Sequence, residues 1–186
     1  MDLTEKCVEI PAHGDQVSGR RRSKDIKIIV GHMTATPIGS SEGVSRYFAS
    51  PDPQGRIGST QLVIDYDRCV RCVQDYQICQ GARSSNDYAN RQGLHFELCC
   101  TPGDNFHTRK CSRMLHRAAY KTAQWCKRYE IPARYLTDAE LRAGKRGITD
   151  HAQITRAFRV AHGHTDFIPR RRAFLRWVRR YIREVK

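Results

Sequence analysis

The sequence predicts an α/β or α+β domain rather than a helical bundle, and three observations carry that reading. Short apolar runs such as "IKIIVGH" (26–32) and "LHFELCC" (94–100) have strand character, and they lie among segments whose apolar residues recur at helical spacing. At 186 residues the chain is long enough for one sizeable core and short for two. No run of some 18 apolar residues is present to cross a membrane.

Residues 1–24 are polar and run into "GRRRSKD", so they are expected to form a loose basic arm ahead of a domain spanning 25–186. The apolar run ending at His32 reads as a buried strand. Ser41 and Glu42 open a short helix, "EGVSRYFAS", that "PDPQG" terminates. "STQLVIDY", a turn at Asp67 and "CVRCVQD" read as a hairpin, and "GARSSNDYANRQG" as a long polar loop. In "LHFELCC", strand alternation puts His95, Glu97 and Cys99 on one face and Leu94, Phe96 and Leu98 on the other.

From Ser112 to Tyr129, Leu115, Ala118, Ala119, Thr122, Cys126 and Tyr129 keep helical spacing, which predicts the longest helix. Thr137 with Glu140 three residues on is a capping-box signature for a short helix. Another helix is expected to begin near His151. The last, "RRRAFLRWVRRYIREVK", carries an apolar stripe of Phe174, Val178, Tyr181, Ile182 and Val185.

The formal net charge is +14, which points to anionic partners: nucleic acid, a membrane surface or a polyanionic wall. Residues 170–186 hold eight basic residues against Glu184, a balance of +7 and half of the total. That helix is expected either to dock with a solvated basic face or to concentrate the protein on anionic wall polymers or membrane. No helix-turn-helix, zinc-finger or RNP pattern accompanies the charge, so no specific nucleic-acid partner is expected.

The first 25 residues lack the apolar core of a secretory signal, so synthesis in the cytoplasm without export is expected. In that compartment the eight cysteines are expected to be reduced and mostly buried. "CVRC" (69–72) is a poor metal knuckle, because strand residues three apart face opposite ways.

Candidate chemistry gathers at His32, at Glu97, and in "GITDHAQITRAFRVAHGHTD" (147–166) with His151, His162, His164 and Asp166. A catalytic zinc takes three ligands from His, Cys, Asp or Glu and keeps a fourth position open. A carboxylate amid an apolar strand costs several kcal/mol unless paired or hydrated. Glu97 therefore reads either as the partner of an arginine or as a general base.

"IVGHMTAT", "SEGVSRYFASPDPQGRIGSTQLVIDYDRCVRCV", "NRQGLHFELCC", "LTDAELRAGKRGITDHAQITRAF" and "HTDFIP" occur in that order. Together they resemble the type-2 N-acetylmuramoyl-L-alanine amidases, especially the amidase domains of actinobacteriophage endolysins, over roughly residues 25–178. The peptidoglycan recognition proteins share that fold. The resemblance implies a central mixed sheet flanked by helices, one catalytic zinc ion (Zn2+), and hydrolysis of the amide between N-acetylmuramic acid and L-alanine. It makes His32, His151 and Asp166 the metal ligands and Glu97 the residue that activates water.

His164 falls where several branches carry a lysine that stabilises the oxyanion, and it is the substitute ligand if Asp166 is not one. His162 matches no role. The chain departs from the family at "DFIP", where "DPGP" is usual, at Thr60 and Gln61, and at Gln80, where many relatives have histidine. The implied protein is a monomeric phage lysin that reaches peptidoglycan after the membrane is permeabilised. The alternative is a peptidoglycan-binding module without catalysis.

Overall fold

The computed structural model describes residues 3, 6–51, 54–55, 58–82, 84–160 and 166–185. Its strands are β1 Val8–Glu9, β2 Val17–Arg20, β3 Ile28–Met33, β4 Leu62–Ile64, β5 Cys69–Arg71, β6 Gln77–Cys79, β7 Gly93–Leu98 and β8 Gly147–Asp150. Its α-helices are α1 Ser41–Ala49, α2 Tyr88–Gln92, α3 Arg109–Arg128, α4 Asp138–Arg142, α5 His151–Phe158 and α6 Arg171–Glu184.

Six strands form a mixed sheet in the order β1-β5-β4-β7-β3-β8, and β2 and β6 form a separate antiparallel ribbon. β4, β7, β3 and β8 run parallel, while β4 and β5 make the expected antiparallel hairpin. β3 lies between β7 and β8, and every residue of "IIVGHM" is buried. A parallel strand covered on both faces requires such a continuous apolar run.

Strand alternation divides the core in two. Ile29, Met33, Leu94, Phe96 and Leu98 pack with Met114 and Leu115 of α3 and with Phe174 and Val178 of α6. Ile28 and Val30 face the other way, toward Ala89, Leu141 and Ile154 of α2, α4 and α5. α6 docks on α3 through the buried Tyr120–Tyr181 ring pair and a 2.7 Å hydrogen bond between Tyr181 Oη and His116 Nδ1. Arg172, Arg176, Arg179, Arg180 and Arg183 remain exposed, so the apolar stripe is a docking face.

Several expectations need correction. The segment read as a loose arm is built into the fold: β1 pairs with β5 and β2 with β6. Arg21 is buried and donates to the carbonyls of Asp75 (3.0 Å), Asn90 (2.8 Å) and Gly93 (2.5 Å). Cys7 and Cys69 form a disulfide, against the expectation of reduced thiols, while the other six cysteines are free and buried. The polar loop 81–93 contains α2 and the start of β7, and β8 is a strand the sequence pattern did not announce. The Thr137 capping box is present as expected, with Glu140 reaching back to the Thr137 N–H.

Candidate active site

Three parallel strands deliver the site, each at its carboxyl end, where open α/β sheets characteristically bind ligands. His32 is the penultimate residue of β3, and Glu97 lies beside it in register on β7. His151 follows directly after β8 as the first residue of α5. Asp150 caps that helix by accepting the Gln153 N–H (3.0 Å), and its second oxygen accepts the Ile168 N–H (3.3 Å). One carboxylate thus fixes both the helix carrying His151 and the segment carrying Asp166.

Asp166 is tied down independently. Its carbonyl accepts the Ala152 N–H (2.9 Å), its Oδ2 accepts the Met33 N–H (3.2 Å), and Ile168 two residues on is buried. The residue after Asp166, Phe167, is exposed, so Ile168 supplies the anchor in the "DFIP" departure.

His32 Nδ1 lies 3.1 Å from His151 Nδ1 and 3.4 Å from Asp166 Oδ2, and His151 Nδ1 lies 3.2 Å from Asp166 Oδ1. Among the described residues this is the one group of His, Cys, Asp or Glu with metal-holding geometry. A tetrahedral zinc with bonds of about 2.0–2.1 Å separates its ligand atoms by roughly 3.3 Å, so these three donors fit such an ion.

Electrostatics point the same way. Burial opposes the charge of Asp166, yet hydrogen bonds and charge from His151 and His32 outweigh it and hold the carboxyl well below the usual range. Burial lowers the basicity of His32, and burial followed by the charge of His32 lowers that of His95 further. Burial thus disfavours the imidazolium form of His32, while both histidines favour the ionised form of Asp166. Burial, and then the negative charge of Asp166, push the Glu97 carboxyl well above its ordinary value, and its Oε2 accepts no hydrogen bond from any described residue. The arginine partner that sequence allowed for Glu97 is absent among the described residues.

His32, Glu97, His151 and Asp166 line one cavity of about 840 Å³. Met33, Pro37, Val44, Tyr47 and Phe48 give the lining its apolar part, and Ser59 and Gln80 add polar groups to it. Gln80 is thus placed to contact a ligand. Thr60 and Gln61 are fully buried and do not line the cavity; Gln61 Oε1 instead accepts the His95 N–H (2.7 Å).

His162 and His164 lie outside the described residues. The role of His95 escaped the sequence reading, although its place on the Glu97 face of the strand was the available signal. His95 Nδ1 lies 2.9 Å from His32 Nε2.

By sequence, the chain matches no family model and no curated protein. Solved structures do match. A solved structure of PlyL is 13% identical with a TM-score of 0.67, over 94% of this chain and 97% of the solved one. The Staphylococcus aureus hydrolase AmiA, solved in complex with its ligand, is 14% identical with a TM-score of 0.70, over 97% and 85%. The fold is the type-2 amidase fold. The N-acetylmuramoyl-L-alanine amidase LysC from Clostridium intestinale URNW matches at 14% identity with a TM-score of 0.53, over 92% and 98%. At these identities the likeness is one of fold.

Proposed function

We propose that the protein is a zinc-dependent N-acetylmuramoyl-L-alanine amidase that cleaves the amide between N-acetylmuramic acid and L-alanine in peptidoglycan. One observation carries the reading: two imidazole nitrogens and a carboxylate converge at 3.1–3.4 Å on the floor of a cavity that also holds a carboxyl group with an unmet oxygen. The fold shared with LysC and AmiA supports it.

His32, His151 and Asp166 would hold the ion. When bound, zinc supplies Lewis acidity, easing deprotonation of water and polarising a carbonyl. The Glu97 carboxylate takes the proton from the attacking water and returns it to the alanine nitrogen, which leaves poorly as an anion. The apolar part of the lining, from Met33 to Phe48, packs along the substrate and keeps bulk water from the scissile bond. His164, two residues before Asp166, donates to the developing oxyanion, a contribution of about 3–4 kcal/mol in comparable sites.

In this reading the protein is a phage lysin acting as a monomer on the wall after the membrane is permeabilised. The exposed arginines of α6 add attraction to wall or membrane anions, which salt screens.

Incubating the purified protein with peptidoglycan is expected to release new L-alanine amino termini, to stop on chelation and to resume with zinc. New reducing sugar ends, or amino termini that survive full metal removal, would refute it.

A further inference from the structure

We infer that His95 is a positioning residue for the metal centre: it accepts a hydrogen bond from His32 Nε2–H and thereby commits His32 to present Nδ1 as the metal ligand. The inference rests on the metal reading proposed above and concerns a residue outside the ligand set.

Ala89 O can only accept, and it lies 2.9 Å from His95 Nε2, so that nitrogen carries the proton. A neutral imidazole has one N–H, which leaves His95 Nδ1 bare. His95 Nδ1 is 2.9 Å from His32 Nε2, so His32 must donate there. With Nε2–H committed, His32 Nδ1 is the nitrogen left to ligate zinc; it faces His151 Nδ1 and Asp166, and a proton it shares with Asp166 in the metal-free protein would be released on binding. Hydrogen bonding at one ring nitrogen sets the tautomer and orientation of the other, as with the outer partners of metal-binding histidines generally.

The slot around His95 is built for an imidazole. His95 is fully buried, and its ring lies 5.2 Å from that of His32 at 22° between planes. A Cβ at Gly93 would stand 2.7 Å from His95 Nε2, and one at Gly81 would collide with Nδ1. The acceptor is held in turn, because Asn90, next to Ala89, accepts the N–H groups of Gly81 (2.9 Å) and Ala82 (2.8 Å). Gln61 fixes the strand from the other side through the His95 N–H.

The test measures zinc affinity of the whole chain by competition with a chromophoric chelator, alongside the NMR signature of the hydrogen bond. His95→Leu is expected to weaken zinc binding by about 10–100-fold. His95→Gln, whose carbonyl can accept from His32 while its amide donates to Ala89, is expected to recover most of the loss. In zinc-loaded wild-type protein, a scalar coupling across the hydrogen bond is expected between His32 Nε2 and His95 Nδ1, whatever becomes of the variants' folding. A folded His95→Leu protein with unchanged zinc affinity, or no coupling between the two nitrogens, would overturn this assignment and leave the amidase reading standing. A wild-type chain that binds no zinc would overturn both.

Discussion

Asp75 is buried and Glu97 is half-buried with its Oε2 shielded from solvent, and the surroundings of the two carboxyl groups are opposite. Asp75 Oδ2 accepts from Trp125 Nε1 (3.2 Å) and Tyr129 Oη (2.9 Å), its Oδ1 accepts from Arg71 (2.8 Å), and its carbonyl takes the Arg21 Nε–H. Both carboxylate oxygens and the carbonyl of Asp75 are answered by donors, and the cluster joins β5, α3 and the N-terminal segment. Glu97 has an oxygen with no donor among the described residues, and it shares a cavity with two histidines and a second carboxylate. Burying an unanswered carboxyl costs stability. The difference teaches where to look: the satisfied cluster holds the fold, and the unsatisfied one is open to a ligand or a proton.

The largest effect that tests this contrast is Glu97→Gln, which is expected to lower kcat/KM by about 10²–10⁴-fold while zinc is retained. Its melting temperature should stay level or rise, since the replaced carboxyl gains nothing from its site. Full hydrolysis by this variant would remove the distinction. Asp75→Ala should do the reverse, costing about 3 kcal/mol in urea unfolding, because Trp125, Tyr129 and Arg71 lose their acceptor. Hydrolysis per folded molecule should be unchanged.

The neighbouring disulfide sharpens the structural side. Cys7→Ser is expected to lower the stability of the oxidised protein by about 2–4 kcal/mol and to change nothing measured under reductant. Equal unfolding curves in oxidising buffer would show that the bond does not tie β1 to the sheet.

The smallest expected effect is on the pH dependence of zinc binding. The raised pKa of Glu97 means that the metal-free protein keeps a proton there from its ordinary 4.5 up to the raised value. A nearby cation favours the charged form, so binding expels that proton and affinity rises with pH across this window, by at most about tenfold per pH unit from this group. Calorimetric titrations at several pH values should show a shallower slope for Glu97→Gln than for wild type, and equal slopes would place the proton elsewhere.

Much of this architecture was determined by sequence alone. The run ending at His32, the alternation that set His95 and Glu97 on one face, the Thr137 capping box and the stripe of α6 each depend on neighbours within a few residues, so their periodicity is legible. Ordered motifs pointed to His32, Glu97, His151 and Asp166 as candidates. Only the tertiary structure decided that residues 7–21 are part of the fold, because strands of two to four residues have no readable period and their partners lie some sixty residues away. The same holds for Cys7 and Cys69, since eight cysteines allow 105 complete pairings and proximity alone selects one bond. It holds also for His95, whose proton is fixed by the carbonyl of Ala89 at one ring nitrogen and by His32 at the other, contacts that exist only once β3, β7 and α2 have packed together.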